Sequence, residues 1–499
     1  MPNDTQPVSK HAARPVAALT VIALALFAAP AQPALAQQRS LFEIPVPGAE
    51  RDPQPVAREA SRTSDTSATI EANKSYLIPA LDIFAFEFLL NRHNHYIYSG
   101  HDYDVTASTI RHNLHTKWVV DNDPFSVNQF LHPYQGSIYH GFARSAGLNY
   151  WESLGYTFAG SLLWEIAGET TPPSKNDQIA SGIAGTFLGE AMFRLASLVL
   201  ENDELPPFWR EVAAAAISPS TGFNRLAFGR RFDAVFPSHD PSRYSRFAVG
   251  VSGTTQNDPG TSTKVHRNEG IVEYSMDYGL PGKPGYTYTR PFDYFTVQTT
   301  LSTANGFENI LTRGTLWARD YELGPSYRGI WGLYGSYDYI APQLFRISST
   351  ALSVGTTAQW WVSDAIAIQG TGLFGTGYAG VGTLHGTAEN DYHYGLAPQA
   401  LAALRFIFDG RASVDVTARE YFVSRVGGAA TGGKDNIVRT DAALTIPVRG
   451  QHAVSVRYQL SRRDASTTGL GDITQTRGTI GIFYTWLGHD QFGAVDWRK

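Results

Sequence analysis

The C-terminal half of this chain, from about Phe247 onward, alternates apolar and polar side chains with a period of two residues. The clearest segments lie at 331–339, 412–419, 454–460 and 479–486, with Phe483 as an exception to the alternation. Successive side chains of a β-strand point to opposite faces, so each segment has one apolar face and one polar face. Each segment also has roughly the ten residues that a tilted strand needs to cross a membrane.

Turn sequences separate these segments and indicate how many strands there are. They are Asp409-Gly410, Gly427-Gly428, Gly432-Gly433 and Arg449-Gly450. We count about twelve segments, and bacterial membrane barrels favour even strand numbers. Closure of the sheet pairs every backbone group, as the lipid interior demands. The sequence therefore predicts an antiparallel transmembrane β-barrel of about twelve strands at 226–499, preceded by an α-helical module.

A soluble β-sandwich, or a soluble closed barrel with a polar outside, is an alternative interpretation of the same alternation. Such a fold would place its aromatic residues in a core. Aromatic residues make up 12% of the chain and charged residues only 17%, which fits the aromatic girdles of a membrane barrel better. We therefore favour the membrane barrel.

The N-terminus is typical of a secretory signal peptide. Lys10 and Arg14 precede an apolar run at 16–29, and Ala34-Leu35-Ala36 is a cleavage sequence that leaves Gln37 as the first mature residue. An uncleaved anchor is the alternative. The signal peptide is therefore predicted at 1–36, and the polar, proline-containing stretch at 37–75 is predicted to be flexible. The chain has no cysteine, which excludes disulfides, thiolate zinc ligands and a lipoprotein anchor.

The helical module is predicted at 76–225. Its first segment, 76–90, is an apolar run that fits a strand or a short helix, and helical periodicity follows at about 141–168, 176–200 and 207–217. Pro172-Pro173 separates the first two periodic stretches. The stretch at 176–200 is long enough to span a membrane, but Glu190 and Arg194 lie inside it. We interpret it as a buried helix in a small bundle.

The most specific motifs of the chain lie in this module. They are Trp118, Asp121-Asn122-Asp123, Asn128-Gln129, His132-Pro133-Tyr134, Gly136, Arg144, Asn149-Tyr150-Trp151, Trp164-Glu165, Glu169, Ser174, Asn176-Asp177, Gly189-Glu190, Arg194 and Asn224-Arg225. This combination resembles a bacterial family defined only as a domain of unknown function, which occurs in exported Gram-negative proteins. The resemblance covers about a hundred residues and, more loosely, the barrel-like tail. It implies a location in the envelope and an architecture, and it implies no particular reaction.

Clustered carboxylates make this module the candidate for chemistry. Glu165 and Glu169 lie four residues apart on one helix face, and Asp177 opens the next helix, which also carries Glu190. Together with His132, these groups could serve as general acids and bases or hold a divalent metal. Asp177 could equally be a helix-terminus carboxylate, and Glu190 with Arg194 has the spacing of a structural ion pair. The candidate binding residues are Asp121, Asp123, Asn128, Arg144, Asn149, Asn176 and Arg194.

A histidine-rich stretch also invites a metal hypothesis. It contains His93, His95, His101, His112 and His115. Their spacing matches no defined zinc motif, so polar surface is the favoured interpretation. The sequence leaves the metal and any cofactor unassigned.

The function that follows is that of an outer-membrane barrel protein with a structural, transport or envelope-maintenance role. Its helical module is expected in the periplasm or docked in the lumen. The alternatives are an outer-membrane lipid or lipopolysaccharide hydrolase that uses the carboxylate and histidine cluster, and a narrow solute channel. The expected partners are outer-membrane lipids and the outer-membrane assembly machinery. The net charge of -5 gives no support to nucleic-acid binding.

Overall fold

The structure, a computed structural model, describes residues 66–498 with gaps at 99, 122, 258–263, 343, 384–389, 391, 425–426, 429–432, 468–470 and 489–491. The predicted signal peptide and residues 37–65 of the predicted flexible segment lie outside the described residues. Residues 66–73 are helical.

From Leu77 onward, the helical module contains eight α-helices within the described residues. They are α1 (Leu77–Ile97), α2 (Ala107–Asn113), α3 (His132–Ser145), α4 (Tyr150–Ala167), α5 (Lys175–Ile179), α6 (Gly185–Leu200), α7 (Pro207–Ile217) and α8 (Pro219–Phe228). A π-helical turn at Val127–Leu131 leads into α3, and another at Ala180–Ala184 joins α5 to α6. Residues Lys175–Leu200 therefore form one continuous helix of 26 residues.

Two predicted elements of the module differ from the observed ones. The run at 76–90, predicted as a strand or a short helix, belongs to the 21-residue helix α1. The single periodic stretch at 141–168 is divided between α3 and α4. The division has a local cause, because Gly147 adopts a φ of 88° and the Asn149 side chain accepts hydrogen bonds from the first backbone N–H groups of α4.

Twelve long strands follow, all antiparallel to their neighbours. They are β1 (Arg243–Asn257), β2 (Lys264–Tyr278), β3 (Phe295–Ser302), β4 (Gly306–Glu322), β5 (Tyr327–Ile340), β6 (Phe345–Ser363), β7 (Ile366–Thr383), β8 (Tyr392–Phe408), β9 (Ala412–Val423), β10 (Gly433–Arg449), β11 (His452–Thr467) and β12 (Gly471–Leu487). Each strand pairs with the next, and β1 pairs with β12, so the sheet closes. A short segment, Gly427–Gly428, adds two residues of pairing to β8. The prediction of a helical module followed by an antiparallel barrel of about twelve strands is confirmed.

The barrel is apolar outside and polar inside. On β11, Val454 and Val456 are exposed on the outer face, whereas the next residue, Arg457, lies inside and pairs with Glu273 of β2. Phe483, the exception to the alternation, is buried on the inner face among Ala248 and Ile271. The side chains that alternate along each strand therefore face two different environments.

Side chains cross the lumen from wall to wall. Arg405 of β8 donates to Asp277 of β2 at 2.8 Å, and these strands lie on opposite sides of the twelve-stranded ring. Arg439 of β10 donates to Asn309 of β4 at 2.9 Å, which is a second link between opposite walls. A cavity of about 150 Å³ remains beside Arg405. The lumen is therefore largely filled by its own side chains.

The chain beyond β12 folds back into one end of the lumen. Gln359 donates to the Val495 carbonyl at 2.6 Å, and Gln369 donates to the Gly493 carbonyl at 2.7 Å. Phe492 and Val495 are buried in a cluster with inward-facing side chains of the barrel. We call this the lower end of the barrel. It also carries the short turns after β4, β6, β8 and β10.

The helical module packs against the outer wall of the barrel. Phe187 of α6 fills the space over Gly335, and the Tyr337 hydroxyl donates to the Gln129 carbonyl at 2.6 Å. Gly335 and Tyr337 belong to the same face of β5 as Trp331, whose side chain is exposed on the outside. Of the two placements expected from the sequence, in the periplasm or docked in the lumen, the lumen-docked one is therefore wrong, because the lumen is occupied and the contacts lie on the opposite face of the strands.

The continuous helix Lys175–Leu200 runs along this wall between the two ends of the barrel. Near its start, Asn176 bonds the hydroxyl of Tyr394 at the upper end of β8. Near its other end, Arg194 bonds Asp293 in the connection between β2 and β3, at the lower end. Helix α3 runs alongside it in the same direction, while α1 and α4 run from the lower end to the upper end. The module is thus a bundle of long helices standing beside the barrel.

Candidate functional site

Two buried polar clusters lie inside the helical bundle, one near each end. The upper cluster consists of Asp121, Asn128, His132, Glu165, Asn176, Asp177 and Ser181. The lower cluster consists of His140, Arg144, Glu190, Arg194 and Asp293. Most of the residues selected from the sequence belong to one or the other. Their partners decide which of them is free to do chemistry.

The lower cluster is a closed ion-pair network centred on Glu190. Its two oxygens accept hydrogen bonds from Arg144 Nε at 2.7 Å, Arg194 Nε at 2.8 Å and His140 Nε2 at 3.1 Å. Arg194 also donates to Asp293 at 3.1 Å and to the Pro291 carbonyl at 2.6 Å. Every carboxylate oxygen of Glu190 is engaged, so the predicted catalytic role finds no free atom here. The network instead joins α3, α6 and the barrel.

The upper cluster is tied to the barrel by two amide side chains. Asn176 Nδ2 lies 2.6 Å from Asp121 Oδ1, 3.0 Å from Asp177 Oδ1 and 2.9 Å from the Tyr394 hydroxyl. Asn128 Nδ2 donates to the same Asp121 oxygen at 2.7 Å and to the Tyr392 hydroxyl at 2.8 Å. The two asparagines thereby hold Asp121 against the outward-facing tyrosines of β8.

His132 lies between an acid and a hydroxyl within this cluster. Its Nδ1 is 3.3 Å from Ser181 Oγ, and its Nε2 is 3.7 Å from Asp177 Oδ2. Both π-helical turns meet here, since His132 directly follows the first and Ser181 lies in the second. Single π-helical turns are rare and occur often at functional sites. Ser181 and His132 are only 2% and 6% exposed, so a substrate reaches them only if the helices separate.

Ser181 was missed by the sequence analysis because it lies in no G-x-S-x-G motif. A weaker signal was present, since Ser181 follows Asp177 by four residues and therefore shares its helix face. Glu87 of α1 was missed as well. It is buried against α3, where it accepts hydrogen bonds from the hydroxyl of Tyr139 and from Gln135. Glu87 lies within an apolar run of the sequence, and this run gave no indication of a buried carboxylate.

The other candidate residues lie at the edges of these clusters. Glu165 Oε2 accepts the backbone N–H of Ser174 at 2.7 Å, which fixes the entry into α5. Glu169 contributes its backbone carbonyl to Asn113 at 3.1 Å, and Asp123 contributes its carbonyl to the Tyr392 hydroxyl at 2.8 Å. Asn149 lies at the lower end, where it caps α4. Asn149 is therefore remote from the upper cluster, whereas Glu165, Glu169 and Asp123 lie close enough to interact electrostatically with one another.

A metal site has no support among the residues described. No three His, Asp or Glu side chains in that part of the chain are close enough to hold an ion. In the histidine-rich stretch, His95 Nδ1 and His101 Nδ1 each lie 2.7 Å from an oxygen of Asp104. The hydrogen bond that His101 donates to the Asp104 carboxylate raises the pKa of His101. Two of these histidines therefore form ion pairs with one aspartate.

The closed sheet, the apolar outer wall and the polar lumen together define the class of outer-membrane β-barrel proteins. That class gives the outer wall of the barrel a lipid environment and assigns no particular reaction. Within the chain, residues 117–220 match the family model "Domain of unknown function (DUF3943)". The match lies in the helical module, includes both polar clusters apart from Asp293, and confirms the resemblance drawn from the sequence motifs. A search of curated proteins finds no match.

Solved outer-membrane barrels are similar to the C-terminal half. The outer membrane channel DcaP of Acinetobacter baumannii is 7% identical, over 49% of this chain and 97% of that chain, with a TM-score of 0.24. The translocator domain of the autotransporter NalP from Neisseria meningitidis is 13% identical, over 53% of this chain and 97% of that one, with a TM-score of 0.24. OmpT of Vibrio cholerae is 7% identical, over 50% of this chain and 98% of that one, with a TM-score of 0.19. Likenesses at these scores carry no argument, and the barrel rests on its strand pairing.

Proposed function

We propose that the protein handles a lipid of the outer membrane, with the closed barrel acting as an anchor and the helical module lying in the bilayer against the barrel wall. The main support is the inverted polarity of the module. Polar side chains are buried in the bundle and apolar side chains face outward, which is the reverse of a helix bundle in water. The module, and not the lumen, is therefore the working part of the molecule.

Helix α1 illustrates this inversion. Its outward face carries Leu77, Leu81, Phe84, Phe88 and Leu89, all of them exposed. Its buried face carries Asp82, Glu87 and Asn91. In water this arrangement would expose an apolar stripe and bury charges at a large cost. In a bilayer the same stripe faces lipid, and the ionisable groups face the bundle interior, where such groups are normally found.

The lengths of the helices fit a bilayer as well. Helix α1 has 21 residues and is about 31 Å long, and α4 has 18 residues and is about 27 Å long. The continuous helix Lys175–Leu200 is long and apolar enough to cross a membrane, by length and composition. The hydrocarbon core of a bilayer is about 30 Å thick. The lower end, with its short turns, would be periplasmic, as in bacterial barrels generally.

A narrow channel for solutes is less well supported, because side chains from opposite walls meet in the lumen. We expect no conductance above background when the purified protein is inserted into planar bilayers. Steady conductance by an intact barrel would require the links at Arg405 and Arg439 to open, and would favour the channel. Insertion by the outer-membrane assembly machinery is part of the proposal and follows from the fold class.

The placement of the module is testable by cysteine scanning, since the natural chain contains no cysteine. Single variants Phe84→Cys and Phe88→Cys are placed on the outward face of α1. Val251→Cys, on the outer wall of the barrel, is the lipid-facing control, and Ser108→Cys, exposed on α2, is the water-facing control. The readout is the rate of labelling by a charged maleimide in isolated outer membranes.

We expect the two α1 variants to react as slowly as Val251→Cys and to react fast only after detergent denaturation. Labelling as fast as that of Ser108→Cys would place α1 in water and reject the proposal. Heat-modifiable mobility of each variant on gels controls for barrel assembly.

Ester hydrolysis is a second candidate function. It is favoured because His132 lies between the carboxylate of Asp177 and the hydroxyl of Ser181, as the histidine of a catalytic triad does. In this candidate the Ser181 hydroxyl attacks a lipid ester carbonyl while His132 takes its proton, and His132 then returns the proton to the leaving alcohol. Water releases the acyl group from Ser181 in the second half of the cycle. Asp177 orients the imidazole.

Release of fatty acid from phospholipid in proteoliposomes tests this candidate. Ser181→Ala should abolish release, whereas Ser137→Ala should retain it. Ser137 is buried on α3, lines no part of the cavity at the lower end of the helical module, and donates to the carbonyl of Tyr134 at 2.6 Å. Equal release by the natural protein and by Ser181→Ala would remove hydrolysis at this site and leave lipid binding untouched.

A further inference from the structure

A cavity of about 260 Å³ lies at the lower end of the helical module, away from the upper cluster. Its walls come from helix 66–73, the ends of α3 and α6, the segment 231–237 and the connection between β2 and β3. Part of the wall is apolar and includes Leu148, Phe193 and Phe236. The cavity is therefore amphiphilic and has no part in the proposed hydrolytic site.

The polar part of the wall carries five cations, Lys74, Arg144, Arg225, Arg231 and Arg290, and one acid, Glu71. Acids beside the cavity pair with four of these cations: Glu152 with Lys74, Glu190 with Arg144, Glu211 with Arg225 and Asp293 with Arg290. Arg144 is buried at the back, where its guanidinium, with those of Arg194 and Arg290, stacks on the ring of Phe236 at distances of 4.7–4.8 Å. Glu190 and Asp293 pair with these three cations, so the group behind the cavity keeps one net positive charge.

Arg231 lies at the exposed side of the cavity and is the least engaged of these cations. Its Nε donates to the Asn73 carbonyl at 3.2 Å, and it forms no ion pair with a described residue. Arg225, by contrast, forms two hydrogen bonds with Glu211, at 2.8 Å and 2.7 Å. The guanidinium of Arg231 therefore keeps donors for a ligand.

The surroundings place the cavity at a membrane surface. Helices α7 and α8 lie at the same end and expose Phe208, Trp209, Phe223 and Leu226. Short helices with exposed aromatic and aliphatic residues are typical of segments that lie in the plane of a membrane interface. A cavity beside such helices would lie at the depth of the lipid headgroups.

We propose that this cavity binds the phosphate-bearing headgroup of a membrane phospholipid, with Arg231 contacting the phosphate and the apolar wall receiving the glycerol and the first acyl carbons. Arginine guanidinium groups suit phosphate because they offer several fixed donors. The inference rests on the proposed placement of the module in the bilayer, and it names the class of lipid that the module handles.

The test uses the full-length protein in detergent micelles and water-soluble short-chain lipids. Binding of dihexanoyl phosphatidylglycerol is measured by calorimetric titration, beside dihexanoyl glycerol and inorganic phosphate. Arg231→Gln is the test variant, and Arg230→Gln is the matched control, because Arg230 is its exposed neighbour in the same turn and does not line the cavity. We expect Arg231→Gln to weaken phospholipid binding about tenfold and Arg230→Gln to leave it unchanged.

Three results would overturn the inference. Equal binding of the phospholipid and the phosphate-free lipid would remove the role of the phosphate. Inorganic phosphate binding as tightly as the phospholipid would make this an anion site with no lipid preference. An equal loss of phospholipid binding in both arginine variants would mean that the general positive charge of this region, and not a contact with Arg231, attracts the lipid. Because this assay is done in micelles, it succeeds or fails independently of the labelling of α1 in membranes.

Discussion

The lumen of the barrel and the interior of the helical module are both polar cores with apolar exteriors, but they satisfy their charges differently. In the lumen, carboxylates are paired with arginines, as Glu273 is with Arg457, and Arg477 with both Glu269 and Glu308. The lower cluster of the module follows the same pattern around Glu190. The upper cluster does not, since among the described residues its acids Asp121, Glu165 and Asp177 have only His132 as a basic neighbour.

This difference indicates which interior is structural and which could react. In the lower cluster every carboxylate oxygen of Glu190 and Asp293 is engaged, so this network holds positions. In the lumen each of these acids faces an arginine, even where one oxygen, Glu308 Oε2, has no hydrogen bond among the described residues. The acids of the upper cluster keep unengaged oxygens, namely Glu165 Oε1 and Asp177 Oδ2, which have no hydrogen-bond partner among the described residues. Buried groups of this kind are unusual and call for a functional explanation. The upper cluster is therefore the better candidate for chemistry.

The largest effect is expected from breaking the lower cluster. Glu190→Gln leaves Arg144 buried without its anion and removes one of the two anions of Arg194, so the module should lose about 3–5 kcal/mol of stability. Limited proteolysis in detergent should then cleave the module while the barrel keeps its heat-modifiable mobility. Glu152→Gln, in the capping box of α4, should cost about 1 kcal/mol or less. Equal sensitivity of the two variants would contradict a special role for the Glu190 network.

Breaking an ion pair in the lumen should lower the free energy of unfolding by less than Glu190→Gln does in the module. Arg405→Ala removes a side chain that bonds Asp277 and Asp415, but the adjoining cavity of about 150 Å³ lets water reach both acids. We expect a loss of about 1–3 kcal/mol in urea unfolding. Arg411→Ala, in the exposed turn after β8, is the control and should be neutral. A loss larger than that of Glu190→Gln would reverse the comparison.

Helix packing in the module gives an effect of similar or smaller size. A Cβ on Gly136 would overlap the Ser181 carbonyl, so Gly136→Ala should force α3 away from the continuous helix and cost about 1–3 kcal/mol. Gly155→Ala is the matched control on α4, where a Cβ would meet no atom within 4 Å. It should be neutral or stabilising by up to about 1 kcal/mol. The midpoints of thermal unfolding of the two variants test this prediction. Equal midpoints would mean that the helices are not in close contact at Gly136.

The smallest effect concerns the exposed ion pairs of the histidine-rich stretch. Asp104 raises the pKa of His101, so protonated His101 adds stability at acidic pH that is lost as the pH rises through this raised pKa. Asp104→Asn should lower the pKa of His101 towards its ordinary value, measured by NMR titration of the imidazole. Overall stability should hardly change, because the pair is exposed. An unchanged titration would mean that the pair does not form in solution.

Several features could be predicted from local pattern alone. The alternation at 454–460 gives the inner and outer faces of β11, because strand periodicity is a local property. The i, i+4 spacing of Glu190 and Arg194 gave their ion pair. The capping position of Asn149 could also have been read locally, since Glu152 lies three residues later. The apolar run in α1 was harder, because its buried Asp82 and Glu87 interrupt a pattern that fits either a strand or a helix.

The remaining features depend on contacts between distant parts of the chain. His132 meets Ser181 across 49 residues, and Asn128 meets Tyr392 across 264. No local pattern encodes such distances, and an apolar row on a strand looks the same whether lipid or a helix covers it. The sequence by itself therefore determined that this chain has a barrel with an apolar outer wall and a helical module. Only the tertiary structure decided that the module covers that wall and leaves the lumen to the barrel's own side chains, because arginines and acids from opposite walls already fill it.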